Sequence, residues 1–181
     1  MDNISLRDLK KHLTTVPFDE MVADIITLYK DIPAVREYYL IKLCPAAEIT
    51  LLEKYKKIIE NEFFPNRGFG KARASVVRKA ISDFKKIAKS PYNIVDLLFF
   101  HVSIGVDFTN SYGDIDDVFY ASLGNSFEQA LKYGFKHGIA DEIRKSAKIV
   151  LEKCQGFGWG FSDVIDDIYY TYYDSYEEDN D

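Results

Sequence analysis

The sequence predicts an all-α protein of about nine helices. Apolar residues recur at spacings of three and four along nearly all of the 181 residues, and alternating strand patterns are absent. Short links containing Pro, Gly or Ser separate the periodic segments, which favours antiparallel helical hairpins. Pairs of helices span about 40 residues, the length of a two-helix solenoid repeat. Both a short HEAT-like curved stack and an irregular helical bundle fit this pattern.

Polar caps and prolines mark the starts of the first four helices. Ser5 and Asp8 predict a capping box at the start of a short helix with three leucines on one face. Prolines open the next three helices: Pro17, Pro33 and Pro45. The fourth helix has a clear apolar stripe, formed by Leu51, Leu52, Tyr55, Ile58, Ile59 and Phe63. It is expected to end at residues 64–68.

The five later helices differ in how their apolar residues are distributed. The fifth, predicted over residues 71–88, has one apolar face. The sixth begins at Ser90 and Pro91 and is apolar nearly all round from 94 to 108, so we expect it at the centre of the molecule. The seventh covers about 115–137, the eighth about 139–154, and the ninth begins near Phe161. One domain over 1–175 is expected, followed by an acidic, disordered tail over 176–181.

Five of the ten glycines fall in two Gly-Phe-Gly loops, at 68–70 and 156–160. One interpretation is architectural: the glycines end helices, and the phenylalanines and Trp159 plug the core. The other is an anion site, because residues 66–73 place backbone N–H groups at a helix start beside Arg67, Lys71 and Arg73. The loop is no P-loop, since Ala72 stands where Ser or Thr is needed and no strand precedes it.

Charge is segregated, although the net charge is only −6. Residues 66–89 contain eight basic residues and one acid, whereas residues 151–181 contain nine acids and one base. The predicted anion- or partner-binding residues are Arg67, Gly68, Gly70, Lys71, Arg73, Arg78, Lys85 and Lys89. Opposing them on the ninth helix is an acidic face formed by Asp163, Asp166, Asp167 and Asp174. These faces could be solvated, could contact each other within or between chains, or the basic one could hold a polyanion.

Three motifs carry a resemblance to a known family. They are the start of the chain at 4–11, the Phe-Pro-Asn-Arg-Gly-Phe-Gly-Lys-Ala-Arg block at 64–73, and Gly-Phe-Gly-Trp-Gly-Phe at 156–161. Together they resemble a family of small bacterial proteins of unknown function, and the likeness extends to about Tyr173. The resemblance implies a bacterial, cytoplasmic protein and assigns no activity or catalytic residue. Residues 5–30 also fit loosely the spacing of SAP-type DNA-binding modules, without the glycine usual in their linker.

The chemistry-bearing residues form no catalytic pattern. The three histidines are scattered, and His101, within the apolar sixth helix, is expected to be a core residue bonded to a backbone carbonyl. Cys44 and Cys154 form neither a disulfide framework nor a metal box. The acids of the ninth helix could join a divalent-cation site, but the Glu-x-x-His pairs of helical metal sites are absent. No cofactor or metal is predicted.

We therefore expect a non-enzymatic helical interaction or scaffold protein, with another protein as its partner. The alternative is an anion- or nucleic-acid-binding protein that uses the basic helix 71–89 and the loop from Gly68 to Arg73. A metal-dependent enzyme with an acidic site is a second alternative. No signal peptide or membrane span is visible, so a cytoplasmic location is expected. The identity of the partner and the oligomeric state are left open.

Overall fold

The computed structural model describes residues 4–158 and 160–178, with side chains up to Asp174. Within these ranges the chain forms nine α-helices and no strand, which confirms the all-α prediction. The helices are α1 (Leu6–Leu13), α2 (Phe18–Asp31), α3 (Pro33–Leu43), α4 (Ala47–Phe63), α5 (Ala74–Ile87), α6 (Pro91–Tyr112), α7 (Asp117–Lys136), α8 (Ala140–Lys153) and α9 (Phe161–Glu178). None of the described helices is both long and apolar enough to cross a membrane.

The helices form two compact units, Met1–Pro45 and Ala46–Asp181, and the predicted single domain spans both. In the N-terminal unit, α2 packs on α3. The predicted capping box opens α1: the Asp8 N–H donates to Ser5 Oγ at 3.2 Å, and the Ser5 N–H donates to Asp8 Oδ2 at 3.1 Å. These bonds satisfy two backbone donors that a helix start otherwise leaves without a partner.

The C-terminal unit is a bundle built round α6. This helix packs against α4, α5, α7 and α8, and α9 covers the outer side of α7 and α8. Twelve residues of α6 are buried, as expected of a helix that is apolar nearly all round. At the start of α6, Ser90 Oγ accepts from the Asn93 N–H, and Pro91 occupies the first turn, as predicted.

A buried carboxylate ties α4 to the start of α6. Glu48 is 5% exposed and accepts hydrogen bonds from the N–H groups of Lys89 and Ser90 at 2.9 and 3.0 Å. It also accepts from the side-chain amide of Asn93 at 2.9 Å. The carboxylate therefore lies beside the positive end of the α6 dipole and satisfies backbone donors there.

Several predicted helix bounds were wrong by a few residues. α5 begins at Ala74 and ends at Ile87, so Lys71 and Lys89 lie outside it. Its start is delayed because Ala72 adopts a positive φ of 45°, which a helix cannot include. α9 continues to Glu178, so the first three residues of the predicted tail are helical; residues 179–181 lie outside the described residues.

The two cysteines lie in different units and different surroundings. Cys44 follows α3 and is exposed, whereas Cys154 follows α8 and is buried. Burial raises the pKa of the Cys154 thiol to about 12. At neutral pH this thiol is protonated and weakly nucleophilic.

Candidate functional site

Glu62, near the end of α4, anchors the first glycine loop, which we define as residues 64–73. Its backbone carbonyl accepts from the N–H groups of Lys71 and Ala72 at 2.9 and 3.1 Å. Its carboxylate accepts from the Arg73 guanidinium through Nε at 2.7 Å and Nη2 at 2.9 Å, and from the Arg73 N–H at 3.2 Å. The bidentate hydrogen bond from Arg73 lowers the pKa of Glu62, although burial opposes the shift.

These contacts show which groups of the predicted anion site are already hydrogen-bonded. The N–H groups of Lys71, Ala72 and Arg73, which precede the first helical residue of α5, all donate to Glu62. The Arg73 guanidinium is likewise occupied by the Glu62 carboxylate. The physical reason is that the last carbonyls of a helix lack intrahelical partners, and the loop folds back to satisfy one of them. Arg67, Gly68 and Lys71 remain exposed.

The glycines of the first glycine loop have different roles. Gly68 has φ of +76° and open space around it, so it serves the turn geometry. At Gly70, a Cβ would lie 1.8 Å from the carbonyl oxygen of Phe63, so only glycine allows the loop to approach α4 this closely. Phe69 was expected to plug the core, and this was wrong: it is 82% exposed and makes an edge contact with Tyr112.

The second glycine loop, residues 154–160, is held by a hydroxyl group. Ser162 Oγ donates to the carbonyl of Cys154 at 2.9 Å and accepts from the Phe157 N–H at 3.2 Å. Phe161, which follows the loop, is 2% exposed and packs on Tyr120, with ring centroids 5.0 Å apart. Phe161 therefore lies in the core, whereas Phe157, between the glycines of this loop, is only half-buried; Trp159 lies outside the described residues.

Helix α5 exposes its basic residues beside a cleft. The cleft has a volume of about 450 Å³ and lies between α5, α6 and α7. Its lining residues are Arg78, Ile81, Ser82, Lys85, Lys86, Leu98, Ser126 and Gln129. Of the predicted basic residues, the structure brings Arg78 and Lys85 together here.

Lys85 is half-buried at the edge of this cleft. Its ammonium group donates to Gln129 Oε1 at 3.2 Å and lies 5.8 Å from the centroid of the Tyr133 ring. Both partners are neutral, and burial lowers the pKa of Lys85. By contrast, Lys79 and Lys86 both pair with Asp83, at 2.5 and 2.9 Å. Lys85 thus carries a partly desolvated charge that its described partners do not neutralise.

Ser126, which lines the cleft, belongs to a buried polar pair. His101 Nδ1 lies 2.8 Å from Ser126 Oγ, and both side chains are buried. His101 is a core residue as predicted, but its partner is a hydroxyl on α7 rather than a backbone carbonyl. Burial lowers the pKa of His101 to about 4, so the ring is neutral at pH 7.

The acidic face of α9 lies on a different part of the bundle from α5. Asp163, Asp167 and Asp174 are exposed, and Asp166 is half-buried and accepts from the Gln155 side-chain amide at 2.8 Å. α9 packs on α7 and α8, whereas α5 packs on α4 and α6. Among the described residues, no group of three or more His, Cys, Asp or Glu side chains is arranged to hold a metal ion.

The N-terminal unit exposes an unusually apolar surface. No residue of α1 or α2 is buried. Its exposed large apolar side chains include Leu6, Leu9 and Leu13 on α1 and Phe18, Val22, Ile25, Ile26, Leu28 and Tyr29 on α2. On α1 this row is flanked by Lys10 and His12, and on α2 by Asp19 and Asp24. We call these two rows the N-terminal apolar surface.

Comparison with known proteins identifies the family. The model of a family of unknown function, DUF6155, matches residues 4–173. The chain belongs to this family. No curated protein and no solved structure was found to match it. Membership in DUF6155 agrees with the resemblance drawn from the sequence motifs and adds no activity.

Sequence reasoning did not identify Glu62, or the two α7 residues that line the cleft, Ser126 and Gln129. Glu62 carries a signal that could have been used, because it is the last acid before a run of arginines and lysines. Ser126 and Gln129 carry none, since each is an ordinary polar residue within α7. Only the packing of α7 on α6, which also packs on α5, shows that they line the same cleft as the basic residues.

Proposed function

We propose that this DUF6155 chain is a non-enzymatic interaction protein whose N-terminal apolar surface docks on a second copy of the chain. The observation that carries the proposal is that α1 and α2 bury none of their residues. Contiguous exposed apolar side chains are costly in a protein without a partner, and such surfaces usually mark docking sites. Leu6 and Phe18 are 68% and 76% exposed, so each would gain from burial at an interface.

Charge complementarity favours a second copy as the occupant. The α1 row is flanked by Lys10 and the α2 row by Asp19 and Asp24, so the two rows attract each other across two chains. In a two-fold dimer, α1 of each chain meets α2 of the other, and each contact occurs twice. The apolar rows supply the buried area and the flanking charges set the orientation.

The oligomeric state of the full chain tests this proposal. Sedimentation velocity at about 1–100 µM protein is expected to show a concentration-dependent dimer, because helical interfaces of modest size give dissociation constants in the micromolar range. Leu9→Glu should shift the chain to monomer by placing a charge in the apolar row. Ile149→Glu is the matched control, since Ile149 is an exposed isoleucine on α8 outside this surface. A wild-type chain that stays monomeric at the highest concentration would disprove self-association.

A charge exchange tests the orientation of the two rows. Lys10→Glu and Asp24→Lys, made singly, each place like charges opposite one another and should weaken the dimer. Combining them restores an opposite-charge pair, so the double variant should recover much of the wild-type dissociation constant. If the double variant is weaker than both single variants, α1 does not meet α2 in the dimer.

A further inference from the structure

We infer that the cleft between α5 and α7 binds a small phosphate ester with a compact apolar or aromatic group. The inference concerns the C-terminal unit and does not depend on the proposed dimer. Its basis is the convergence of Arg78, Lys85 and Lys86 on one cleft that also has apolar walls.

The charges of the cleft favour a dianion. Arg78 and Lys85 lie seven residues apart on α5 and therefore on the same face, about two turns from each other. Asp83 is the only acid of α5, and it is shared between Lys79 and Lys86, so these three side chains together keep one positive charge. A phosphate monoester would neutralise the positive charge that remains at the cleft.

The surroundings of Lys85 give the strongest support for an anionic ligand. An ammonium group that is half-buried against a neutral amide and an aromatic ring lacks part of its hydration. An anion in the cleft would replace the lost water contacts with charge-assisted hydrogen bonds, which are stronger than those between neutral groups. Arg78, exposed on the same side, can add bidentate contacts to phosphate oxygens.

The size and the lining of the cleft favour a small ligand over a polymer. A volume of about 450 Å³ lies within the range of small-molecule pockets. Ile81 and Leu98 supply apolar walls, and the Gln129 side chain supplies polar atoms beside the basic residues. A free phosphate would leave the apolar walls uncovered, so an ester with a ring or a short apolar chain fits better.

Isothermal titration calorimetry on the full chain tests the inference, with phenyl phosphate and inorganic phosphate as probes in chloride buffer of matched ionic strength. Phenyl phosphate should bind, and more tightly than inorganic phosphate. Lys85→Met keeps an unbranched side chain, shorter by one atom, but removes its charge, and should weaken binding about tenfold, as expected for one charge-assisted contact. Arg78→Met should act similarly, and Arg78 is exposed, so this variant should fold even if Lys85→Met does not.

Lys79→Met is the matched control, because Lys79 is on the same helix, has the same charge and does not line the cleft. It should change the dissociation constant less than twofold. Lys10→Glu should also leave binding unchanged, which separates this site from the proposed dimer. Equal losses in the Lys79, Lys85 and Arg78 variants would mean nonspecific charge attraction and would overturn the inference. So would the absence of phenyl phosphate binding, or tighter binding of a single-stranded oligonucleotide with the same variant sensitivity.

Discussion

The two glycine loops have similar sequences but are held in different ways. In the first glycine loop, the buried carboxylate and the carbonyl of Glu62 hold residues 71–73 against α4. In the second, one hydroxyl, that of Ser162, bridges the end of α8 and the loop backbone. Between the glycines, Phe69 of the first loop is exposed and Phe157 of the second is half-buried, and Phe161, which follows the second loop, lies in the core. The shared Gly-Phe-Gly pattern therefore determines the backbone turn, but not which groups of the protein hold the loop in place.

Replacing Phe161 or Phe69 with alanine should give the largest difference in stability between changes at the two loops. Phe161→Ala removes a ring that is 2% exposed and packs on Tyr120, and should lower the free energy of unfolding by about 4 kcal/mol. Phe69→Ala removes a ring that is 82% exposed and should change it by less than about 0.5 kcal/mol. Urea denaturation followed by circular dichroism measures both. Similar losses for the two variants would show that Phe69 is buried in solution.

Within the first glycine loop, the two glycines should differ in their tolerance of a methyl group. Gly70→Ala forces the loop away from the Phe63 carbonyl and should cost about 3 kcal/mol, the upper range for overpacking. Gly68→Ala meets open space and should cost only about 1 kcal/mol from its positive φ. Thermal and urea denaturation give both values. If Gly68→Ala is the more damaging variant, backbone conformation and not close approach holds this loop.

The contact between Glu62 and Arg73 should make a pH-dependent contribution to the free energy of unfolding. Glu62→Gln should lower the free energy of unfolding at pH 7 by about 1.5 kcal/mol, the low end for a hydrogen bond to a charged group, because Arg73 is 56% exposed and water screens the pair. Glu60→Gln is the matched control, because Glu60 pairs on the helix surface with Lys57 at 2.7 Å. It should cost less than about 0.5 kcal/mol.

The sign of the pH dependence follows from the lowered pKa of Glu62. The folded state holds the Glu62 proton less tightly than the unfolded state, so the contribution is complete above the unfolded pKa, whose ordinary value is 4.5. It disappears as the pH falls through the lower folded value. The difference between wild type and Glu62→Gln should therefore be constant from pH 8 to about pH 5 and shrink below about pH 4. A difference that grows in acid would contradict this assignment.

In the second glycine loop, Ser162→Ala should lower the free energy of unfolding by less than Glu62→Gln does in the first. It removes one donor and one acceptor of a half-buried hydroxyl and should cost about 1 kcal/mol, independent of pH between 4 and 8. Ser111→Ala provides a comparison, since its hydroxyl is exposed and bonds only within α6. If the Ser162→Ala cost varies with pH like that of Glu62→Gln, an ionisable group also anchors the second loop.

The sequence predicted the helices well because their signals are local. The capping box of Ser5 and Asp8, the start of α6 at Ser90 and Pro91, and the central position of the apolar α6 all follow from nearest neighbours along the chain. The start of α5 was misplaced because an alanine with positive φ carries no local signal.

The binding residues were predicted less well because they depend on contacts between distant segments. A helical projection places Arg78 and Lys85 on one face, but it cannot show that Glu62 occupies Arg73. Nor can it show that α7 supplies the opposite wall of the cleft. Residue type and spacing identify which charges are available, and the tertiary packing decides which of them are already paired.

The contrast between the two cysteines gives the molecule a built-in reporter. A maleimide dye at neutral pH should attach to the exposed Cys44 and spare Cys154, whose protonated thiol is enclosed by the bundle. Fluorescence can thus be placed in the N-terminal unit without any mutation. The rate at which a second equivalent of dye reacts then measures how often the C-terminal unit opens and exposes Cys154.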